Sequence, residues 1–346
     1  MDNSKINKTL YYLTVCISVI FVFSSCNKNT LKPKVSFYYW RTVFNLNQTE
    51  KQILKNNNVE KIYVRYFDVD LNGKNIPFPE SPVFFQQKPD NIDIVPVVYI
   101  KNKVMLQKNI NLDSLAKNIH NYIGQINKVR ELKYNEIQVD CDWTMQSRDN
   151  FMKFIDILKR ESGKKLSATI RLHQVKYFLQ TKVPSVDKAV LMYYNMGKIA
   201  PDSLNSIYDR AIAQKYLTSL KKYPLKLDIA LPIYSWGVHM RDNKVINLIS
   251  KIDKTSFDAD TNFIVHENSN IIITKNSNIK LGTYYIKDDK VKIEQVSEKE
   301  IKQMVKDIKS QLNYTPQQII FYDLDSINLN KYKHEKRFFK KITSRF

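Results

Sequence analysis

Residues 137–144 read Ile-Gln-Val-Asp-Cys-Asp-Trp-Thr, which sets two carboxylates, Asp140 and Asp142, two positions apart. On an extended chain neighbouring side chains point to opposite faces. Gln138, Asp140, Asp142 and Thr144 therefore share one face, and Val139, Cys141 and Trp143 share the other. Trp and Cys on the far face mark a strand covered by helices rather than a solvent edge, and the polar face lines a site. Paired acids on an inner face are hard to explain structurally and suit proton transfer or stabilisation of a charged reacting centre. A metal set of Asp140, Asp142 and His173 fits no specific ligand spacing, so no metal and no cofactor is expected. Cys141 lies on the apolar face and is not a catalytic thiol.

Other polar and aromatic residues fall at the ends of apolar runs. They are Trp40; Arg65, Asp68 and Asp70; Arg171 and His173; Tyr194 and Asn195; Tyr234 and Trp236; and Tyr322, Asp323 and Asp325. Aromatic faces stack on the C–H surfaces of a pyranose, while carboxylates and amides bind hydroxyls in pairs, so the set suits a sugar. Asp140 and Asp142 are the catalytic candidates. Trp40, Arg65, Tyr194, Asn195, Tyr234, Trp236 and Tyr322 are the substrate-binding candidates. Some of these residues have structural alternatives. Arg65 can neutralise Asp140, Asp68 and Asp70 can cap the following loop, and Asp323 and Asp325 can cap the last helix.

Positioning such a set requires strands whose ends converge. Eight strand-like runs can be counted: Val35–Phe44, Lys61–Asp68, Ile92–Ile100, Glu136–Trp143, Leu166–Leu172, Ala189–Asn195, Lys226–Tyr234 and Gln318–Leu324. Helical patterns separate most of them. A capping signal at Asn47 precedes one helix, Leu112–Leu132 and Phe151–Leu158 repeat apolar residues at helical spacing, Ser203–Tyr223 reads as another helix, and Ser297 to Glu300 is a capping box. Gly163 is a stop signal. Strands alternating with helices over this length predict an α/β fold, a (β/α)8 TIM barrel, over residues 35–346. Residues 71–91 hold four prolines and read as a long loop over the barrel mouth. Residues 255–296 read as a small β-rich insertion between strands seven and eight.

The strand-four segment resembles the signature of glycoside hydrolase family 18, the chitinase-like barrels, whose fourth strand ends Asp-x-x-Asp-x-Asp-x-Glu. The four acidic positions fall here on Ile137, Asp140, Asp142 and Thr144, so the inner two match, as does Trp143. Met192, Tyr194 and Asn195 are similar to the family's Met-x-Tyr-Asp. Pro232-Ile233-Tyr234-Ser235 is similar to its Pro-Phe-Tyr-Gly. Tyr322 and Asp325 keep the spacing of its strand-eight Trp and Asp. The resemblance implies substrate-assisted hydrolysis, in which the sugar's own acetamido oxygen attacks the anomeric carbon. Asp142 would orient that group with Tyr194, Asn195 and Tyr234, and Asp140 would hold Asp142. The general acid is missing, because Thr144 stands in its place. A relocated acid would have to be Asp323, Asp68 or Asp70.

The N-terminus carries a basic segment at Lys5 and Lys8, an apolar run from Leu10 to Phe23, and then Ser24-Ser25-Cys26. This resembles a bacterial lipoprotein signal with Cys26 as the lipidation site, residues 1–26 as signal and 27–34 as tether. The run is short for a membrane span. The chain is thus expected to be a membrane-anchored envelope lipoprotein at the periplasmic or outer face. The formal net charge of +21 spread over 346 residues points to a solvated basic surface or to acidic envelope polymers, and export argues against nucleic acid. The expectation is a monomer that binds an N-acetylated glycan with absent or weak hydrolysis. The alternatives are an active glycosidase with a relocated acid and a structural lipoprotein that uses its barrel as a docking surface.

Overall fold

The computed structural model describes residues 32–89 and 91–346; Cys26 and the segment before it lie outside the described residues. Eight parallel strands carry the fold: β1 (Lys34–Tyr39), β2 (Lys61–Leu71), β3 (Asp93–Ile100), β4 (Glu136–Asp140), β5 (Lys165–Arg171), β6 (Lys188–Met192), β7 (Leu227–Pro232) and β8 (Gln318–Tyr322). Each pairs with the next, and β1 pairs with both β2 and β8, so the sheet closes into a (β/α)8 barrel. Closure removes the edges an open parallel sheet would expose. All eight expected runs are strands, with ends shifted by a few residues.

The helices follow their local signals. Asn47 and Glu50 form the capping box of α1 (Gln48–Asn56). Asn111 caps α2 (Leu112–Lys128), and Gly163, at φ 60°, ends α3 (Arg148–Ser162) in the left-handed conformation that glycine adopts without a Cβ penalty. Ser297 and Glu300 cap α5 (Glu298–Lys309). The expected helix over 203–223 is much shorter. It is α4 (Arg210–Leu217), capped by Asp209, followed by a 3-10 turn at Leu220–Lys222.

Two kinds of packing hold the barrel. Outside, apolar residues of the strands meet the helices. Trp143 is fully buried there, stacked on Phe151 of α3 at 4.4 Å and 11°, and its indole Nε1 donates to the carbonyl of Thr181 at 2.9 Å. Inside, the lumen is aromatic and polar. The Tyr38 hydroxyl donates to Gln138 at 2.7 Å, and that of Tyr63 donates to Gln318 at 2.9 Å. Buried hydroxyls need such partners, because an unmade hydrogen bond in the interior costs about 1–3 kcal/mol.

Two segments depart from expectation. The 71–91 loop contains short strands at Pro77–Glu80, antiparallel to the end of β2, and at Phe84–Phe85, which pairs with Val43–Phe44. The insertion begins at Ser235, directly after β7, and forms a five-stranded sheet reaching Gln295. Trp236 therefore belongs to the insertion's first strand, Ser235–Arg241, rather than to the end of β7. Gly237 in that strand faces the insertion's own core. A Cβ there would lie 2.4 Å from Ile252 Cδ1 and 2.8 Å from Val291 Cγ1. Gly237→Ala is expected to destabilise the insertion by about 1–3 kcal/mol through overpacking. Faster proteolysis between residues 235 and 295, with the barrel intact, would show it.

Candidate functional site

β4 ends at Asp140, and the alternation persists beyond it: Cys141 and Trp143 are buried against the helices, while Asp142 is half-buried at the mouth. Asp140 accepts a 2.5 Å hydrogen bond from Thr169 Oγ1 of β5. It does not hold Asp142 directly. Arg171, the last residue of β5, does so instead: its Nε lies 2.5 Å from Asp142 Oδ1, and its Nη2 lies 3.1 Å from Oδ2. Such a two-pronged pair fixes the plane of the carboxylate. Burial pushes Asp140 up to about 6, with Arg171 opposing and Asp142 adding to the rise. Tyr99, at the end of β3 and paired in register with Asp140, is pushed up to about 12 by burial and then by Asp142 and Asp140.

The aromatic candidates come together. Trp40 stands edge-on to Tyr38 and Tyr322, at 5.8 and 5.5 Å. Tyr322 meets Tyr194 at 5.4 Å and Tyr234 at 5.4 Å, and Tyr234 meets Trp236 at 5.3 Å. The result is one continuous aromatic wall from β1 round to the insertion. The Tyr234 hydroxyl donates to Asn195 Oδ1. Asn195 adopts φ 54°, a left-handed conformation that Asn tolerates better than most side chains, and its N–H donates to the Ile207 carbonyl.

Two buried donor atoms beside Asp140 and Asp142 have no hydrogen-bond partner among the described residues: the hydroxyl of Tyr194, among Tyr38, Tyr322, Arg171 and Asp140, and Nη1 of Arg171. Among the described residues, unpaired buried hydroxyls also occur at Tyr193, Tyr208, Tyr223, Tyr285, Thr274 and Thr343, and unpaired guanidinium nitrogens at Arg41 and Arg148. The mouth is distinguished by an unpaired hydroxyl and an unpaired guanidinium nitrogen beside one another and beside Asp142. Buried polar groups in native proteins are normally satisfied, so this is a place where an incoming polar ligand would be received.

The remaining acids are committed elsewhere. Arg65 pairs with Asp68, two contacts of 2.6 Å each, and not with Asp140. Asp70 is gripped by Lys101 and Lys103, which hold its carboxyl well below the usual range. Asp325 caps the short helix Ser326–Leu329 through the Ile327 N–H and pairs with Lys251 at 2.6 Å. Asp323 is buried behind Tyr322, accepts from Asn328 Nδ2 at 2.6 Å, and is pushed up to about 6 by burial, with Lys251 opposing. Thr144 sits in the turn into α3. Its amide donates to Ser147 Oγ at 2.9 Å, and its hydroxyl lies 3.4 Å from the same oxygen. His173 is exposed in the short helix Leu172–Lys176.

Sequence reasoning placed Arg171 in the set without a role and left Thr169, Tyr99 and Glu294 out of it. Thr169, Tyr99 and Arg171 join through strand register. Glu294, in the last strand of the insertion, joins through the indole of Trp236, which donates to it at 2.8 Å. Glu294 also accepts from the Ser206 amide at 3.1 Å and its hydroxyl, and lies 2.8 Å from the fully buried ammonium of Lys292. Lys292 in turn donates to the carbonyls of Ala200, Asp202 and Leu204. The insertion thereby clamps the loop after β6 and sets the far end of the aromatic wall.

No family model and no curated protein matches the sequence. Solved structures do match the fold. The spore cortex-lytic enzyme SleL of Bacillus cereus is 13% identical, with 91% of this chain and 75% of that chain covered and a TM-score of 0.52. A chitinase from Bacteroides thetaiotaomicron is 12% identical, with 91% and 96% covered and a TM-score of 0.52. A GH18 chitinase from Cycas revoluta, solved with (GlcNAc)4, is 10% identical, with 90% and 98% covered and a TM-score of 0.50. At these identities the likeness establishes the fold. This chain shares the (β/α)8 barrel fold of these enzymes.

Proposed function

We propose that this barrel binds an N-acetylated glycan at its mouth and turns it over slowly or not at all, as an envelope lipoprotein anchored through Cys26. The observation that carries the reading is the combination around Asp142. An aromatic wall and two unpaired buried donors stand beside a carboxylate fixed by Arg171, while position 144 offers only a hydroxyl tied to Ser147. A threonine hydroxyl cannot protonate a leaving oxygen near neutral pH, and loss of a positioned acid typically costs 10²–10⁴-fold in rate. The fold supports the sugar class, since the Cycas chitinase of the same fold was solved with (GlcNAc)4. The lipid anchor rests on Ser24-Ser25-Cys26 behind the apolar run.

Calorimetric titration with (GlcNAc)4, followed by chromatography of the mixture, tests the reading. Saturable binding with the tetrasaccharide recovered intact is the expected result. Asp142→Ala and Tyr194→Phe should each weaken binding about tenfold or more, the scale of a hydrogen bond to a charged group or one left unmade. Rapid cleavage by the native chain would overturn it. The runner-up is an active glycosidase using Asp323, whose pKa near 6 suits a general acid; cleavage abolished by Asp323→Asn would establish that alternative.

A further inference from the structure

All eight strands run in one direction, so their first residues form a single rim opposite the mouth. That rim is rich in lysine. β1, β2, β5 and β6 each begin with one, at Lys34, Lys61, Lys165 and Lys188, and Lys226 directly precedes β7. The connections into β4 and β7 add Lys133, Lys221 and Lys222. Of the acids at this end, Glu136 is buried between Lys61 and Lys188, Glu60 pairs with Lys34 and Asp187 pairs with Lys159, whereas Asp93 at the start of β3 and Glu131 before β4 are exposed with no cation within 4.0 Å among the described residues. Lys133, Lys165, Lys221, Lys222 and Lys226 are exposed and have no carboxylate within 4.0 Å among the described residues. The carboxylate pairs Asp68/Asp70, Asp140/Asp142 and Asp323/Asp325 lie at the other end of the strands. The mouth carboxylates are matched by Arg65, Lys101, Lys103, Arg171 and Lys251, whereas at the strand starts exposed lysines outnumber exposed acids, so this rim is net basic.

The chain enters the barrel on this same rim. Cys26, the lipid attachment site in the anchor reading, lies eight residues before Lys34, a length that spans at most roughly 30 Å when fully extended. We propose that the lysine rim lies against the anionic headgroups of a phospholipid membrane, with the mouth facing away from it. The proximity rests on the anchor reading above, whereas the charge of the rim does not. Surface attraction fades within about 8 Å at physiological ionic strength, so only the cations of one face can contribute together. Each lysine brought to an anionic leaflet contributes about fivefold in affinity.

Flotation of the full chain with phosphatidylcholine vesicles, and with vesicles containing phosphatidylglycerol, tests the proposal. Binding should be at least about a hundredfold tighter to the anionic vesicles, and the advantage should vanish at about 1 M salt, where screening extends only about 3 Å. The combined variant K165E/K221E/K222E/K226E should lose the advantage. Reversal of Lys244, Lys275, Lys287 and Lys290, all exposed on the insertion, should leave it unchanged. The same comparison in Cys26→Ala separates the two readings: failure of the anchor shows as lost binding to neutral vesicles in the native chain, and failure of the rim as an absent anionic advantage in both chains. An advantage that survives the rim reversal, or that falls equally with the insertion set, overturns the proposal. So does an equal rim-dependent gain on an acidic polysaccharide, which would make the surface a general polyanion site.

Discussion

Thr144→Glu is expected to raise the rate of hydrolysis of an N-acetylglucosaminide by one to several orders of magnitude over the native chain, the scale of a positioned general acid. Position 144 lies two residues beyond Asp142 on the mouth side, and the bond that fixes it runs from its backbone amide to Ser147, so a new side chain leaves that turn intact. A carboxyl there joins Asp140 and Asp142, and the crowding of like charges favours the protonated form that a leaving oxygen requires. Thr144→Gln is the control, with the same reach and no transferable proton. Product chromatography from (GlcNAc)4 should show cleavage in the Glu variant alone. Equal rates in the two variants would mean that size at position 144, and not acidity, governs turnover.

Much of the architecture was legible because it depends on local pattern. The period of two from Gln138 to Trp143 placed Asp140 toward the lumen, where Thr169 meets it, and Trp143 toward α3, where Phe151 meets it. The capping boxes at Asn47 and Ser297 open helices because each satisfies its own backbone donors within three residues. What was not legible depends on distant partners. Alternation puts Arg65 and Asp68 on opposite faces, but an irregularity in the β2–β3 register between Arg65 and Phe67 brings them to the same side, and they pair. The 203–223 segment has the composition of one long helix. Its first part is held as a loop by Lys292, some ninety positions later in the chain. The insertion begins at Ser235 without a turn signal, because the chain runs from β7 into the next sheet through Ile233 and Tyr234. Arg171 reads in the sequence as a polar strand end, and it is its pairing with Asp142 across β4 and β5 that gives it a role.

Arg171→Met should uncouple the site electrically. In the native chain Asp140 sits near 6 because burial raises it and Arg171 opposes that rise. Without the guanidinium its pKa climbs further. The sign follows from proton counting. A carboxyl whose pKa is higher folded than unfolded holds its proton in the folded state across that window, so its contribution to stability is greatest below the unfolded value, near 4, and is lost as pH rises through the folded value. The native chain should lose this contribution between about pH 4 and pH 6, and the variant should go on losing it to higher pH at about 1.4 kcal/mol for each further unit. Denaturant unfolding should therefore find the variant's deficit smallest at pH 4.5, where Asp140 is protonated in both and only the Arg171–Asp142 pair is lost, and larger by up to about 2 kcal/mol at pH 7.5. The pH-independent part stays below the 3–5 kcal/mol of a fully buried broken pair, because Asp142 is partly open to solvent. The variant should also lose glycan binding, and Arg171→Lys should not restore it, since an ammonium cannot reproduce the two-pronged grip on Asp142 or offer the third nitrogen to a ligand. An equal loss of stability at both pH values would show that Asp140 does not depend on the charge of Arg171.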